Sequence, residues 1–180
     1  MYNKIHFGGT YGYEDFINDN EKSELQEWIL SEQSLMSFSN PVNLEEDQYK
    51  SGLKRHFKIL YPDDKKPNIF HLIRNRILDL ENITNPIPAP INYDWIGIVG
   101  EDSYVEPHID DSFRDYYTVR YNLLVSFPDN GGKPIYGDEL LPVKEKMLWR
   151  CDAGIVKHSS EVVKGDKLRI NLSYGFSFEL

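Results

Sequence analysis

Residues 158–178 read His158-Ser-Ser-Glu-Val-Val-Lys-Gly-Asp-Lys-Leu168-Arg169-Ile170-Asn171-Leu172-Ser173-Tyr-Gly-Phe-Ser-Phe178. From Lys167 onward the side chains alternate in character. On an extended chain successive side chains point to opposite faces. Leu168, Ile170 and Leu172 therefore share one face, and Arg169, Asn171 and Ser173 share the other. Residues 116–127 repeat the pattern, with Val119, Tyr121, Leu123 and Val125 opposed to Thr118, Arg120 and Asn122. Two strands thus carry Arg-x-Asn on one face and an apolar row on the other. A strand facing water would also alternate. The sharper reading packs the apolar rows against helices and turns the polar rows into a cavity. A buried arginine there needs an anion, because an unpaired charge away from water is costly. A dicarboxylate ligand supplies one in bidentate geometry.

Outward from these strands, period-2 patterning continues through the second half of the chain. Strands are expected at Trp95–Val99, Tyr104–Asp110, Tyr116–Phe127, Pro134–Tyr136, Glu139–Val143, Met147–Cys151, Ile155–His158 and Lys167–Phe178. Asp129-Asn-Gly-Gly is a strong turn signal, and Gly137-Asp138 and Gly165-Asp166 are further turns. Short strands separated by turns predict a β-sandwich or jelly roll. The first half reads differently. Residues 20–33 predict a helix capped by Asp19 or Asn20, with Leu25, Trp28 and Ile29 on one face. Residues 68–82 predict a second, started by Pro67 and striped by Ile69, Phe70, Ile73, Ile77 and Leu80. Pro86, Pro88 and Pro90 exclude a regular element over 83–92. Residues 37–66 read as loop with one strand near His56–Leu60. The expected fold is mainly β, with both helices packed on one outer sheet face.

The chain has 180 residues, enough for one domain with its own core. One domain over 1–180 is expected, with 1–92 a helix-bearing support and 93–180 the β core. The formal net charge is −9, which argues against a nucleic-acid partner. The single cysteine, Cys151, excludes an intrachain disulfide. The N-terminus has no signal-peptide pattern, and no run approaches the ~18 apolar residues of a membrane span. A soluble, cytoplasmic protein is expected.

Of the five histidines, only His108 lies in a His-x-acid pattern, His108-Ile109-Asp110. On a strand this spacing puts imidazole and carboxylate on one face. His158 lies on another predicted strand. Two imidazoles and one carboxylate form the facial triad of non-haem iron sites, which leaves three coordination positions open. The remaining candidates have plainer readings. His6 and His71 are expected to be exposed. His56, in the basic run Lys54–Lys58, is either solvated surface or part of a substrate-facing loop. Asp111 points away from Asp110 and suits a structural hydrogen bond. Trp95, Trp149 and Cys151 are expected in the core.

With His108-Ile-Asp110, His158 and Arg169 in this order, the stretch from Trp95 to Phe178 resembles the Fe(II)- and 2-oxoglutarate-dependent dioxygenases. Within them it is similar to the small prolyl-hydroxylase and aspartyl/asparaginyl-hydroxylase-like groups. The resemblance implies a double-stranded β-helix. It implies that His108, Asp110 and His158 bind iron and that Arg169 holds the distal carboxylate of 2-oxoglutarate. Arg120-Tyr-Asn122-Leu resembles an Arg-x-His-Leu segment that helps hold the cosubstrate, which makes Arg120 the rival anchor and Asn122 and Asn171 further contacts. Tyr104 and Tyr121 are candidates for the cosubstrate pocket. The implied reaction uses O2 and 2-oxoglutarate to hydroxylate a C–H bond of an amino acid, a peptidyl side chain such as proline, or another small metabolite. A carboxylate at Asp110 favours hydroxylation over halogenation. Residues 37–66 and 111–115 are expected at the substrate rim. Two other classes stay open: a non-catalytic or zinc-bearing cupin-like binding module, which has no need of Arg169, and a structural interaction domain whose polar faces are wet.

Overall fold

The computed structural model of the chain describes residues 2–33, 37–38, 55–88, 94–112 and 115–179. Along them run β1 (Asn3–Phe7), β2 (Thr10–Glu14), α1 (Asp19–Glu32), β3 (Ser37–Phe38), β4 (Arg55–Leu60), α2 (Asn68–Leu80), β5 (Ile87–Pro88), β6 (Asp94–Val99), β7 (Tyr116–Ser126), β8 (Asn130–Gly131), β9 (Pro134–Tyr136), β10 (Glu139–Leu140), β11 (Leu148–Cys151), β12 (His158–Ser160), β13 (Val163–Lys164) and β14 (Arg169–Glu179). Among the described residues a nine-stranded antiparallel sheet has the order β1-β2-β11-β7-β14-β6-β4-β3, with β5 on β14. A smaller set of strands, β10-β9-β12 and β13-β8, supplies the second layer.

The two alternating segments are interior strands, with β14 hydrogen-bonded to β7 on one side and β6 on the other. Val119, Tyr121, Leu123 and Val125 of β7, and Ile170, Leu172, Tyr174 and Phe176 of β14, join one buried cluster with Leu25, Ile29, Ile69, Phe70, Ile73 and Ile77 of the helices. The helices thus cover one outer face, as the apolar rows predict. The opposite, inner face meets the small layer, where Leu124, Trp149 and Cys151 pack with Tyr136 and Leu141. No described helix is long and apolar enough to cross a membrane.

Several local expectations are corrected. The cap of α1 is Asn18, whose side chain accepts from Glu21 N at 3.0 Å while Glu21 Oε2 accepts from Asn18 N at 2.9 Å. This reciprocal box outcompetes Asp19 and Asn20. The second helix ends at Leu80 rather than residue 82. Residues 104–110 form no regular strand. Val105 and Ser160 are linked by Ser160 N donating to Val105 O, and His108 and His158 exchange two backbone bonds. Three steps on one side thus face two on the other. The extra residue falls at Glu106-Pro107, where proline has no N–H to offer. Residues 152–156 form a tight turn rather than the start of a strand, with Ile155 N and Val156 N both donating to Asp152 O. The strand expected over Glu139–Val143 stops at Leu140. The prolines do not fully clear the connector, since Ile87–Pro88 pairs with Phe176–Ser177. The β1–β2 hairpin and the β8–β13 pair were not expected. Residues 39–54 of the expected loop, Pro90, and residues 113–114 of the expected rim lie outside the described residues.

Candidate metal centre

His108 and His158 come from the bridge between the irregular 104–110 segment and β12, and their rings lie 4.2 Å apart. Asp110 is held two residues on by its N–H, which donates to Ala153 O at 2.8 Å. The three side chains converge: one ligand atom from each lies within 4.8 Å of the others. His108 Nε2 is 3.3 Å and His158 Nε2 3.7 Å from the same oxygen, Asp110 Oδ1.

The surrounding bonds select the donors. His108 Nδ1 lies 2.7 Å from Glu106 O, and His158 Nδ1 lies 3.1 Å from Val156 O. A carbonyl only accepts, so each Nδ1 carries the proton and each Nε2 turns a lone pair to the common point. Asp110 Oδ2 accepts from Arg120 Nε at 2.8 Å, leaving Oδ1 for the ion. Burial pushes the Asp110 carboxyl up, but the His108 contact and the Arg120 and His158 charges outweigh it and hold it well below the usual carboxylate range. Burial and the neighbouring His108 lower His158, which favours its neutral, ligating form. Burial opposes the charge on His108 too, but Asp110 and the Glu106 carbonyl raise it overall. One carboxylate and two imidazoles on one side of a point are a donor set for a divalent transition metal with open positions.

Arg169, Asn171 and Ser173 lie on the inner face of β14, opposite Val99, Gly97 and Trp95 of β6. Arg169 is 5% exposed and has no carboxylate partner among the described residues. Its Nε is buried without a hydrogen bond among the described residues. Burial, reinforced by the nearby Arg55 charge, lowers its pKa to about 10. Asn171 Nδ2 donates to Asn122 Oδ1 at 3.1 Å, while Asn171 Oδ1, Ser173 Oγ and Trp149 Nε1 are buried with no partner among the described residues. Since buried polar groups are nearly always satisfied, this face has unused hydrogen-bonding capacity of the kind a polar, anionic ligand could fill. Trp149 pairs across with Asn122, which in turn faces Ser173. Its burial was expected, but its unsatisfied indole N–H was not. The parity it shares with Cys151 on the Asn122 side of the sheet was the available signal.

Arg120 is ion-paired to Asp110, so the two arginines of matching parity do different work. Tyr121 lies on the helix-facing side with its hydroxyl on Glu81, so it is no part of the inner face. Tyr104 is half-buried. His6 and His71 are exposed, and His56 lies on β4 rather than in a loop. Asp111 is exposed, and it is its carbonyl that accepts from Thr118 Oγ1. Cys151 is fully buried, and burial raises its thiol pKa.

No family model and no curated protein matches this sequence. Solved structures do. The chain is similar to a prolyl hydroxylase from Trichoplax adhaerens, in complex with a hypoxia inducible factor oxygen degradation domain peptide fragment, at TM-score 0.70 and 12% identity over 95% of this chain and 84% of that one. It is similar to a Pseudomonas putida prolyl-4-hydroxylase at TM-score 0.65 and 14% identity over 96% and 93%. It is also similar to HygX from Streptomyces hygroscopicus, with nickel and 2-oxoglutarate bound, at TM-score 0.62 and 11% identity over 93% and 82%. The fold shared with these structures is the double-stranded β-helix.

Proposed function

We propose that the chain is a non-haem Fe(II)- and 2-oxoglutarate-dependent oxygenase that hydroxylates a C–H bond of an amino acid or peptidyl side chain such as proline. The observation that carries this is the pairing of two features in one sandwich: a converged His108–Asp110–His158 triad and a buried Arg169 with no anion among the described residues. The prolyl hydroxylases among the similar folds, and the 2-oxoglutarate bound to one of them, support the same reading.

The residues fit the group they would hold. His108 Nε2, Asp110 Oδ1 and His158 Nε2 would hold Fe(II), and Arg169 would take the distal carboxylate of 2-oxoglutarate, with Asn122, Asn171 and Ser173 beside it. When bound, iron with O2 and 2-oxoglutarate supplies the oxidising chemistry, with succinate and CO2 as coproducts. The chain's own part is orientation and exclusion of water. The Glu106 and Val156 carbonyls fix the imidazole tautomers. Arg120 fixes which carboxylate oxygen faces the ion. The apolar inner cluster around Leu124, Met147 and Cys151 keeps that side of the sandwich dry. Metal analysis, followed by succinate release with Fe(II), O2 and a panel of amino acids and peptides, tests the proposal. A protein that binds metal but never 2-oxoglutarate would instead be a binding module, the reading for which a buried Arg169 has no use.

A further inference from the structure

Arg55 opens β4 inside the basic run that the sequence singles out, and its register places it beside Val99, which lies opposite Arg169. The three share the inner face, with Arg55 two strands from Arg169. Arg55 Nη1 donates to Glu106 Oε2 at 2.6 Å. The carbonyl of the same Glu106 accepts the Nδ1–H of His108 at 2.7 Å. The ion pair is thus tied to the triad through one partner and neighbours Arg169 through the other. The Arg55 charge opposes protonation of both Arg169 and His108.

This pair is mostly covered, with side-chain exposures of 16% and 18%, yet it is incomplete. Arg55 commits one N–H to Glu106 by a single bond. Glu106 Oε1 is buried with no hydrogen-bond partner among the described residues. A purely structural arginine–carboxylate pair gains most when bidentate, and a shielded carboxylate oxygen left unsatisfied is unfavourable. Donor capacity is left over on one side, and acceptor capacity on the other. The missing ligand is one that carries an acceptor and a donor, oppositely charged, a few bonds apart.

We propose that Arg55 and Glu106 form the head-group site for the substrate, and that the substrate is a free α-amino acid. Its carboxylate is taken by Arg55 and its ammonium by Glu106, so that its side chain is left to reach the metal. This rests on the oxygenase reading above and narrows it. A zwitterion adds no net charge to a site that already holds the metal, its carboxylate ligand and a dianionic cosubstrate. A residue inside a peptide has neither charge and offers Arg55 and Glu106 only the weaker hydrogen bonds of neutral amides.

The test is succinate release by the iron-loaded protein with free amino acids, with the same amino acids blocked at both the amine and the carboxyl, and with the same residues placed inside short peptides. Free amino acids are expected to stimulate turnover, and blocked and peptidyl forms are not. Arg55→Ala and Glu106→Gln should each raise KM for the free amino acid about tenfold or more, in keeping with a lost charged hydrogen bond. A structural role is separated by pairing protein and substrate changes. An analogue lacking the carboxyl should lose affinity for the wild-type protein and lose nothing further on Arg55→Ala. Losses that simply add, or blocked and peptidyl substrates turned over as well as free ones, would overturn the head-group site. Calorimetry keeps the two readings apart. Metal-loaded protein that does not bind 2-oxoglutarate sinks the oxygenase reading itself. Normal 2-oxoglutarate binding with no response to any free amino acid sinks this inference alone.

Discussion

Arg120 and Arg169 share residue type and strand parity but not environment. Arg120 neutralises Asp110 at 2.8 Å; Arg169 is buried with no anion among the described residues. Arg120→Ala should therefore lower metal affinity about 10- to 100-fold, as loss of a carboxylate's supporting partner does, and titration calorimetry with Fe(II) or a stable surrogate reads it. Arg169→Met should leave metal binding intact but weaken 2-oxoglutarate about a hundredfold or more. The same change should leave the unliganded protein as stable as the wild type or more so, because it removes an uncompensated buried charge. Arg169→Lys should be damaging as well, since an ammonium cannot make the planar two-bond contact. Asp110→Ala should abolish hydroxylation by removing the one anionic donor, and full turnover in that variant would take Asp110 out of the ligand set.

At the scale of elements, Glu21 joins two helices. It closes the capping box of α1, and its Oε1 accepts from Arg76 Nη2 of α2 at 2.5 Å. That hydrogen bond lowers the Glu21 pKa. A depressed carboxyl contributes its stability above its ordinary pKa and loses it as pH falls through the folded value. Thermal melts from about pH 6 down to about pH 3 should thus fall more steeply for the wild type than for Glu21→Gln. Asn18→Ala, which removes the cap itself, should cost about 1 kcal/mol near neutral pH, or about 2–4 °C in Tm. The turn at 152–156 has an equally local requirement. A Cβ on Gly154 would lie 2.4 Å from Ser112 Oγ and 2.6 Å from Thr118 N, and its neighbour Ala153 holds the Asp110 N–H. Gly154→Ala should therefore weaken metal binding without touching a ligand, measurable in the same titration.

Across the whole molecule, the candidate triad is assembled from the irregular 104–110 segment and β12, while Arg169 lies on β14. Ligands that join these parts stabilise the native state by mass action. Saturating metal at about a hundred times its Kd should add about 2.7 kcal/mol, a rise of about 5–11 °C in Tm for a chain of this size. 2-Oxoglutarate should add a further increment only when metal is present and Arg169 is intact. Removal of the metal by a chelator should reverse both. Behind the sheet, Glu81 at the end of α2 accepts from Tyr11 and Tyr13 of β2 and, at 3.1 Å, from Tyr121 of β7. Glu81→Ala leaves three hydroxyls without that acceptor and should cost about 1–3 kcal/mol, without altering 2-oxoglutarate affinity.

Alternation alone placed Val119, Tyr121, Leu123, Ile170 and Leu172 on one side and Arg120, Asn122, Arg169 and Asn171 on the other, because strand parity is a property of the local chain. The same period, with the helical stripe of Ile69, Phe70, Ile73 and Ile77, was enough for the layer order. The candidate pair His108 and Asp110 was legible because the two are close in sequence. Bringing His158 to them was a tertiary event, made by two backbone bonds across fifty residues. The hairpin at residues 3–14 was missed because Tyr11, Tyr13 and Phe16 pack only once the far-off Glu81 and the helices are present. The bulge at Glu106-Pro107 likewise follows from pairing with Ser160 and His158 rather than from propensity. What separates Arg120 from Arg169 is not written along either strand. Each has the same parity and similar neighbours, and only the fold sets a carboxylate against one and leaves the other without an anion among the described residues.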